Sequence, residues 1–450
     1  MTDMPKIKII GAGLAGCEAA WQAAKLGVCV DLYEMKPKKH SPAHKSDGLC
    51  ELVCSNSLRS NQTSNAVGLL KAELSLMNSL IMSAAYETQV PAGSALAVNR
   101  EEFSSYITEK ISNHPNINLI SEEVTSFDDD TVTVIATGPL TDGKMAEAIA
   151  DITGGTELHF FDAAAPIIDF SSIDTSKAFF ASRYGKGDPE DYLNCPMTEE
   201  EYDSFYNALV SAEVATLKEF DKESQKDLTV FEGCMPVEVM ASRGYDTLRF
   251  GPMKPVGLPV PKTAEDAFAT VQLRRENKEG TMYNIVGFQT HLTFGEQQRV
   301  FRMIPGLENA EFFRYGVMHR NTYLNSPGFL TPTYSVKSRK NLFFAGQMTG
   351  VEGYVESASS GFVAGVNAAL LALGKEKMIF PRTTEIGALA NYVSEGGVSS
   401  SFQPMNANFG IIAPLDKKVK GGKKFRNEAY AVRSLEVIKT EYAQFFENKV

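Results

Sequence analysis

The sequence predicts an α/β protein in which both ends of the chain build one parallel-sheet domain and the middle forms a large α+β insertion. Three observations predict it. Residues 6–26 read as a short apolar strand, a glycine turn and an Ala-rich helix. Two later strand-like runs, at 131–138 and 341–346, also end on glycine, and the second leads into a long apolar helix. Between them the composition shifts to clustered Pro, Tyr and acidic residues, which breaks the strand–helix alternation. The resulting boundaries are 1–155, 156–328 for the insertion, and 329–450.

Composition bounds the rest. The chain has 450 residues, enough for about two or three domains. It is 43% hydrophobic and 22% charged, the balance of a folded chain rather than a disordered one. The formal charge of −11 argues against a surface coated in basic residues for non-specific nucleic-acid binding, but leaves room for a local basic patch. The N-terminus has no basic segment ahead of an apolar run. The uncharged stretch Gly361–Gly374 is shorter than the ~20 residues that cross a bilayer, so a buried helix and a cytoplasmic protein are expected. Six cysteines (17, 29, 50, 54, 195, 234) are too few for a disulfide framework in a chain this long, and Cys50 and Cys54 have no second pair to complete a zinc site. Free thiols in a reducing cytosol, and no metal, follow as expectations.

Taken in order, Lys6 to Ile10 is the first strand and runs into Gly11, Ala12, Gly13, Leu14, Ala15 and Gly16. The helix is expected from Cys17 to Leu26, and a second strand from Val28 to Tyr33, ending at Glu34. In a G-x-G-x-x-G turn the first glycine makes the bend and the second admits a pyrophosphate to the backbone. The third lets the helix lie close to the sheet, with its N-terminus toward the phosphates. Glu34 stands where a carboxylate accepts ribose hydroxyls. Thr131 to Gly138 resembles the second strand motif of flavoproteins that bind two dinucleotides, and Asn341 to Gly350, with the helix after it, resembles their C-terminal flavin motif. Together they predict FAD in a Rossmann-like domain of the glutathione-reductase type, with Gly138, Gly346, Gln347, Gly350, Gly353 and Tyr354 toward the cofactor.

In the insertion, Glu199-Glu-Glu reads as a solvated helix start. Cys234 sits among Gly233, Met235 and Pro236, in a turn rather than in an apolar run, which marks it as a candidate catalytic thiol. Cys54 lies beside hydroxyl and amide groups just past the second strand, with Cys50 an equally placed competitor. Near the end, Leu415 to Arg426 holds six basic residues (Lys417, Lys418, Lys420, Lys423, Lys424, Arg426) against one acid. Such a run suits a solvated loop, and with its glycines and Phe425 it equally suits an RNA backbone.

These residues together resemble the folate- and FAD-dependent tRNA (uracil-5-)-methyltransferases of bacteria, the TrmFO family. The matching stretches are Gly11 to Ala20, Cys54 to Ser57, Glu232 to Glu238, Gly251 to Leu258, Tyr283 to Thr290, Arg302 to Leu307, Met318 to Tyr323 and Phe402 to Gly410. A larger relative, which installs carboxymethylaminomethyl groups on wobble uridine, shares the flavin start. The resemblance implies that methylenetetrahydrofolate supplies a methylene by way of reduced flavin, and that NADH or NADPH re-reduces the flavin. No second G-x-G-x-x-G is found for the nicotinamide, which is expected to visit transiently. The implied substrate is a uridine in the tRNA T-loop, extruded to reach the flavin. Two family cysteines match Cys54 and Cys234. Cys234 is assigned the attack on uracil C6 and Cys54 the place beside the flavin, with the reverse order also open. His319, Arg320 and Gln289 are candidate folate contacts. Three alternatives stand beside this reading: a ribosomal-RNA uracil methyltransferase of the same family, a flavin oxidoreductase of a small molecule, and a non-catalytic RNA-binding flavoprotein.

Overall fold

In the computed structural model the described residues are 4–41, 43–128, 130–154, 157–163, 165–185, 187–188, 190–215, 235–258, 267–275, 280–316, 318–396, 402, 404–417 and 419–447. Strand β1, Lys6–Ile10, lies mid-sheet with Ile7 and Ile9 fully buried. It pairs in parallel with β2, Cys29–Glu34, on one side and with Thr133–Ile135 on the other. Leu342–Phe344 and Ile117–Ser121 complete a five-stranded sheet, every pairing parallel. One row across it reads Phe343, Val134, Ile9, Leu32, Leu119, apolar at every position as a sheet covered on both faces requires. Thus strands from both ends of the chain are neighbours in one sheet.

Helix α1, Leu14–Lys25, starts three residues before the expected Cys17. Gly13 is its N-cap in an extended conformation (φ −78°, ψ −171°), so the turn residues after it are already helical. A Cβ on Gly16 would stand 1.8 Å from the Gly11 carbonyl oxygen, so only glycine lets helix and turn approach this closely. Helix α2, Ala66–Leu76, packs beside the long helix α3, Tyr354–Ala372. α3 crosses α1 through small residues: a Cβ on Gly361 or Gly365 would meet the backbone of Ala15 or Ala19 at 2.1 and 2.4 Å. Among the described residues α3 alone is long and apolar enough to cross a membrane, and 89% of its apolar window is buried inside the protein.

Glu157–Ala163 and Met318–Leu324 pair antiparallel, so the segments entering and leaving the middle of the chain run side by side. The six-stranded sheet beyond them is antiparallel throughout, in the order 179–180, 192–197, 269–275, 282–285, 167–169, 312–314. Strand Ala269–Arg275 shows how it faces two ways. Ala269, Val271 and Leu273 enter a second hydrophobic core, while Thr270, Gln272 and Arg274 alternate onto the other face. Helix Glu199–Val210 begins with a capping box between Thr198 and Glu201 and seats Tyr202, Phe205 and Leu209 on that core, so the acidic run is a helix start as expected. The basic run near the end differs from a plain loop. Its second half opens helix α4, Lys423–Val437.

Candidate functional site

A cavity of about 500 Å³ opens at the C-terminal edge of the parallel sheet, where ligands sit in folds of this kind. Its wall includes Gly11, Ala12, Gly13, Leu14 and Ala15 of the first turn, with Gly138 beside them. Gly16 serves packing and Gly350 lies outside the wall, where a Cβ would strike the Phe402 ring at 2.4 Å. Glu34 enters from the end of β2, its carboxylate accepting the Ala12 N–H at 2.9 Å and the Lys36 N–H at 3.1 Å. Gly346, Gln347, Gly353 and Tyr354 line the side formed by the C-terminal segment, and Gln289 the side formed by the second sheet.

FAD fits these residues on three observations. Gly13 lines the cavity and a Cβ there would meet no protein atom within 4 Å. The N-termini of α1 and α3 both begin on glycines with no side-chain cap, so their first N–H groups are left for an anion. A carboxylate stands at the end of β2, where ribose hydroxyls are held.

The Cys54 loop is clamped from several elements. Tyr354 Oη accepts the Cys54 N–H at 2.8 Å and the Ser55 N–H at 3.4 Å. Arg100 donates to the Leu52 carbonyl. Arg274, on the cavity-facing side of its strand, donates to Asn56 Oδ1 at 3.0 Å and Ser55 Oγ at 2.9 Å. Burial pushes the Tyr354 phenol well above its usual pKa, so it stays neutral. Burial also holds the Arg314 guanidinium below its usual pKa, with Arg100 adding to the push while Tyr354, Cys54 and Glu51 oppose it. Both cysteines line the cavity, but Cys54 is half-buried whereas Cys50 is 2% exposed with its amide on the Ala12 carbonyl at 3.3 Å.

Cys234 and Lys418 lie outside the described residues. The chain just past Cys234 is held by the Gln289 segment: the Val237 N–H donates to the Gln289 carbonyl at 2.7 Å. Glu238 accepts from Thr290 Oγ1 at 2.8 Å, and its Oε1 lies 2.5 Å from His291 Nδ1. His319 and Arg320 are placed by backbone in strand Met318–Leu324, opposite Asp162 and Phe161. Lys417 and Lys420 precede α4, and Lys423, Lys424 and Arg426 stand exposed in its first turns.

Sequence reasoning missed Arg59, Arg274, Arg314 and the Glu238–His291 pair. Arg59 pairs with Glu356, which is fully buried in the first turn of α3. Beneath them, Lys71 of α2 donates to the carbonyls of Arg59 (3.1 Å) and Ser60 (2.7 Å), and burial pushes its pKa down to about 7. The alternation of Ala269–Arg275 was the available signal for Arg274.

A parallel sheet fed from both chain ends, with two glycine-led helix N-termini opening on one cavity, defines the class: a Rossmann-type FAD flavoprotein. The sequence profile described as glucose inhibited division protein A matches residues 6–376, and the chain belongs to that family, on the branch of the TrmFO proteins. The methylenetetrahydrofolate--tRNA-(uracil-5-)-methyltransferase TrmFO of Acetivibrio thermocellus is 59% identical over 439 residues, covering 98% of this chain and 99% of the relative. The protein of the same name from Bacillus cereus (strain AH187) is 58% identical over 433 residues, covering 96% and 98%. The fold is shared with GidA of Aquifex aeolicus at TM-scores of 0.70 and 0.69 in two crystal forms and 17% identity. That likeness covers 99% and 100% of this chain, so it runs well past the flavin start, and 78% and 76% of GidA.

Proposed function

We propose that this chain is a cytoplasmic methylenetetrahydrofolate- and FAD-dependent tRNA (uracil-5-)-methyltransferase, acting on the T-loop uridine at position 54 with NAD(P)H as reductant. The observation that carries it is the meeting, in one cavity wall, of the dinucleotide turn, the clamped Cys54 loop and the Gln289 segment. Residues 1–155 and 329–450 form the cofactor half and 156–328 the folate and RNA side. Gly11 to Ala15 and the α1 N-terminus hold the phosphates, Glu34 the ribose, and Gly346, Gln347, Gly353 and Tyr354 the flavin end.

Uracil C5 is a weak nucleophile until a thiolate adds at C6. The new C6–S bond pushes the C5–C6 electron pair into an enolate, and C5 then attacks the one-carbon unit. Loss of the C5 proton to a base releases the one-carbon unit from the nitrogen that carried it and leaves an exocyclic methylene at C5. A hydride added to that carbon, its electrons drawn from NAD(P)H, makes the methyl group as the C5=C6 bond reforms and expels the thiolate. Cys234 performs this addition, while Cys54 is the thiol beside the flavin. Bound FAD supplies the redox chemistry and the passage of the one-carbon unit from folate. Gln289, His319 and Arg320 are assigned to folate, an assignment supported for Gln289 by its place in the cavity wall, and the Glu238–His291 pair helps hold the chain that follows Cys234.

RNA is held partly by the basic run. Cations in the first turns of α4 oppose the helix dipole, an arrangement that an RNA phosphate at that end relieves. The test is to incubate the flavin-loaded protein with methylenetetrahydrofolate, NADPH and unmodified tRNA, then digest and look for ribothymidine. Its absence from folded holoprotein would refute the proposal, and product only in ribosomal-RNA fragments would reassign the substrate. With 5-fluorouracil RNA, Cys234→Ala should abolish the covalent adduct and Cys54→Ala retain it; the opposite pattern exchanges the thiol roles.

A further inference from the structure

The turn Gly251–Gly257 stands out in the sequence and has no part in the reaction described above. It borders the cavity. A Cβ on Gly287, a residue of the cavity wall, would stand 2.5 Å from Pro252 Cβ, so turn and wall are in direct contact. Met253 anchors the turn in the second core, fully buried, with its carbonyl accepting the Thr270 N–H at 3.0 Å. Gly251 and Val256 are its exposed residues. Phe250, at the turn's start, is 84% exposed, and Val256 is 55% exposed.

Tyr184 stands against the far end of this turn and is 59% exposed. Its backbone is left-handed (φ 57°), a conformation a tyrosine adopts at a cost. Three contacts hold it there. The Tyr184 N–H donates to the Gly257 carbonyl at 2.6 Å. Gly257 (φ 88°) lies under the ring so closely that a Cβ would meet Cε1 and Cζ at 2.5 Å. The adjacent Arg183 bridges the Val256 carbonyl (2.7 Å) and Gln272 Oε1 (2.8 Å) on the strand that also carries Arg274. Lys254 Nζ lies 5.7 Å from the ring centroid. An aromatic ring fixed by packing, open to solvent and accompanied by a cation has the chemistry of a nucleobase stacking platform: the ring takes a π-face and the ammonium the neighbouring phosphate.

We propose that Tyr184, Lys254 and Phe250 form a docking surface for unpaired nucleotides of the substrate RNA, next to the cavity that receives the target base. This rests on the RNA-methyltransferase reading. Continuity with the cavity wall through Pro252 and Gly287, and the Lys254 ammonium beside the Tyr184 ring, favour RNA over a protein partner. The surface shares no residue with the basic run before and within α4.

The test uses flavin-loaded protein and unmodified tRNA transcript, with affinity measured over a salt series. Tyr184→Asn removes the ring with a residue that tolerates the left-handed backbone, so the variant should fold. It should weaken binding by about 5- to 150-fold, as should Phe250→Ala at the lower end of that range. Tyr184→Phe should bind as the parent does. Lys254→Gln should reduce the salt slope by about the amount due to one neutralised phosphate. Flavin content and NADPH-driven reduction of an artificial acceptor without RNA should be unchanged in all four. Parental affinity in both Tyr184→Asn and Phe250→Ala would overturn the proposal, as would equal losses in Tyr184→Phe and Tyr184→Asn. Altered self-association in place of RNA affinity would overturn it in favour of a protein contact. If the parent itself neither binds nor methylates tRNA, the functional reading has failed instead, which separates the two results.

Discussion

Replacing Tyr354 by Phe removes one oxygen atom and keeps the ring. That oxygen is the acceptor for the Cys54 N–H at 2.8 Å and, at 3.4 Å, for the Ser55 N–H. The second distance is long enough to count for little, so the variant loses about one good hydrogen bond and leaves one half-buried donor without its acceptor. The cost of such a donor is about 1–3 kcal/mol. The loop keeps the Arg100 bond to Leu52 on one side and the Arg274 bonds to Ser55 and Asn56 on the other, so it should loosen rather than collapse. If that cost falls on the alignment of Cys54 at the cavity, ribothymidine formation in single turnover should slow by about tenfold, the lower part of the range. Alkylation of Cys54 should become faster because the loop opens more often, while flavin content stays near parental. Burial keeps the phenol neutral well beyond neutral pH, so the ratio of parent to variant rates should be flat from about pH 6 to 9. Parental rates of both methylation and alkylation would refute the clamp. A rate ratio that changed with pH would show that the hydroxyl acts by ionising.

Three further outcomes follow from the same structure. Gly16→Ala should yield little folded protein and no bound flavin, because its Cβ would strike backbone at 1.8 Å; Gly13→Ala, with open space at that position, should fold and lose only flavin affinity, as absorbance and circular dichroism will show. Lys71→Met should change the pH dependence of stability in a defined window. The folded pKa of Lys71 is about 7 against 10.5 when exposed, so between those values the unfolded chain binds more protons and stability rises with pH, whereas below about 7 the contribution is flat. The denaturant-midpoint difference between parent and variant should therefore be constant below pH 7 and grow in the parent's favour above it; a difference growing below pH 7 would be wrong for this lysine. Changing Lys417, Lys420, Lys423, Lys424 and Arg426 to Gln should lower tRNA affinity and flatten its salt dependence by up to about 0.7–0.9 for each phosphate no longer neutralised, and an unchanged slope would remove the run from the RNA interface.

What could be read in the sequence was local, and what could not depended on distant segments meeting. The turn at Gly11 to Gly16 was legible because its geometry is set within about 30 residues, and even its error, a helix begun at Cys17 instead of Leu14, came from a glycine cap rather than from a wrong element. The Glu199 run was legible for the same reason, since Thr198 and Glu201 complete a capping box four residues long. By contrast, Cys50 and Cys54 could not be told apart in sequence, because what separates them is Tyr354, three hundred positions away, and the Ala12 carbonyl, thirty-eight away. Arg59 and Glu356 are likewise ordinary charges until the fold pairs them, 297 residues apart. The acidic total says equally little about RNA, because an encounter depends on where the cations stand. Exposed cations crowd the first turns of α4, and the partly exposed Lys254 stands beside Tyr184; of these two places the second adjoins the cavity wall, through Pro252 and Gly287. A polyanion drawn to the first by charge alone would bind without regard to sequence. One that also stacks on the second would be positioned against the cavity, so affinity and placement should respond to different substitutions in the same protein.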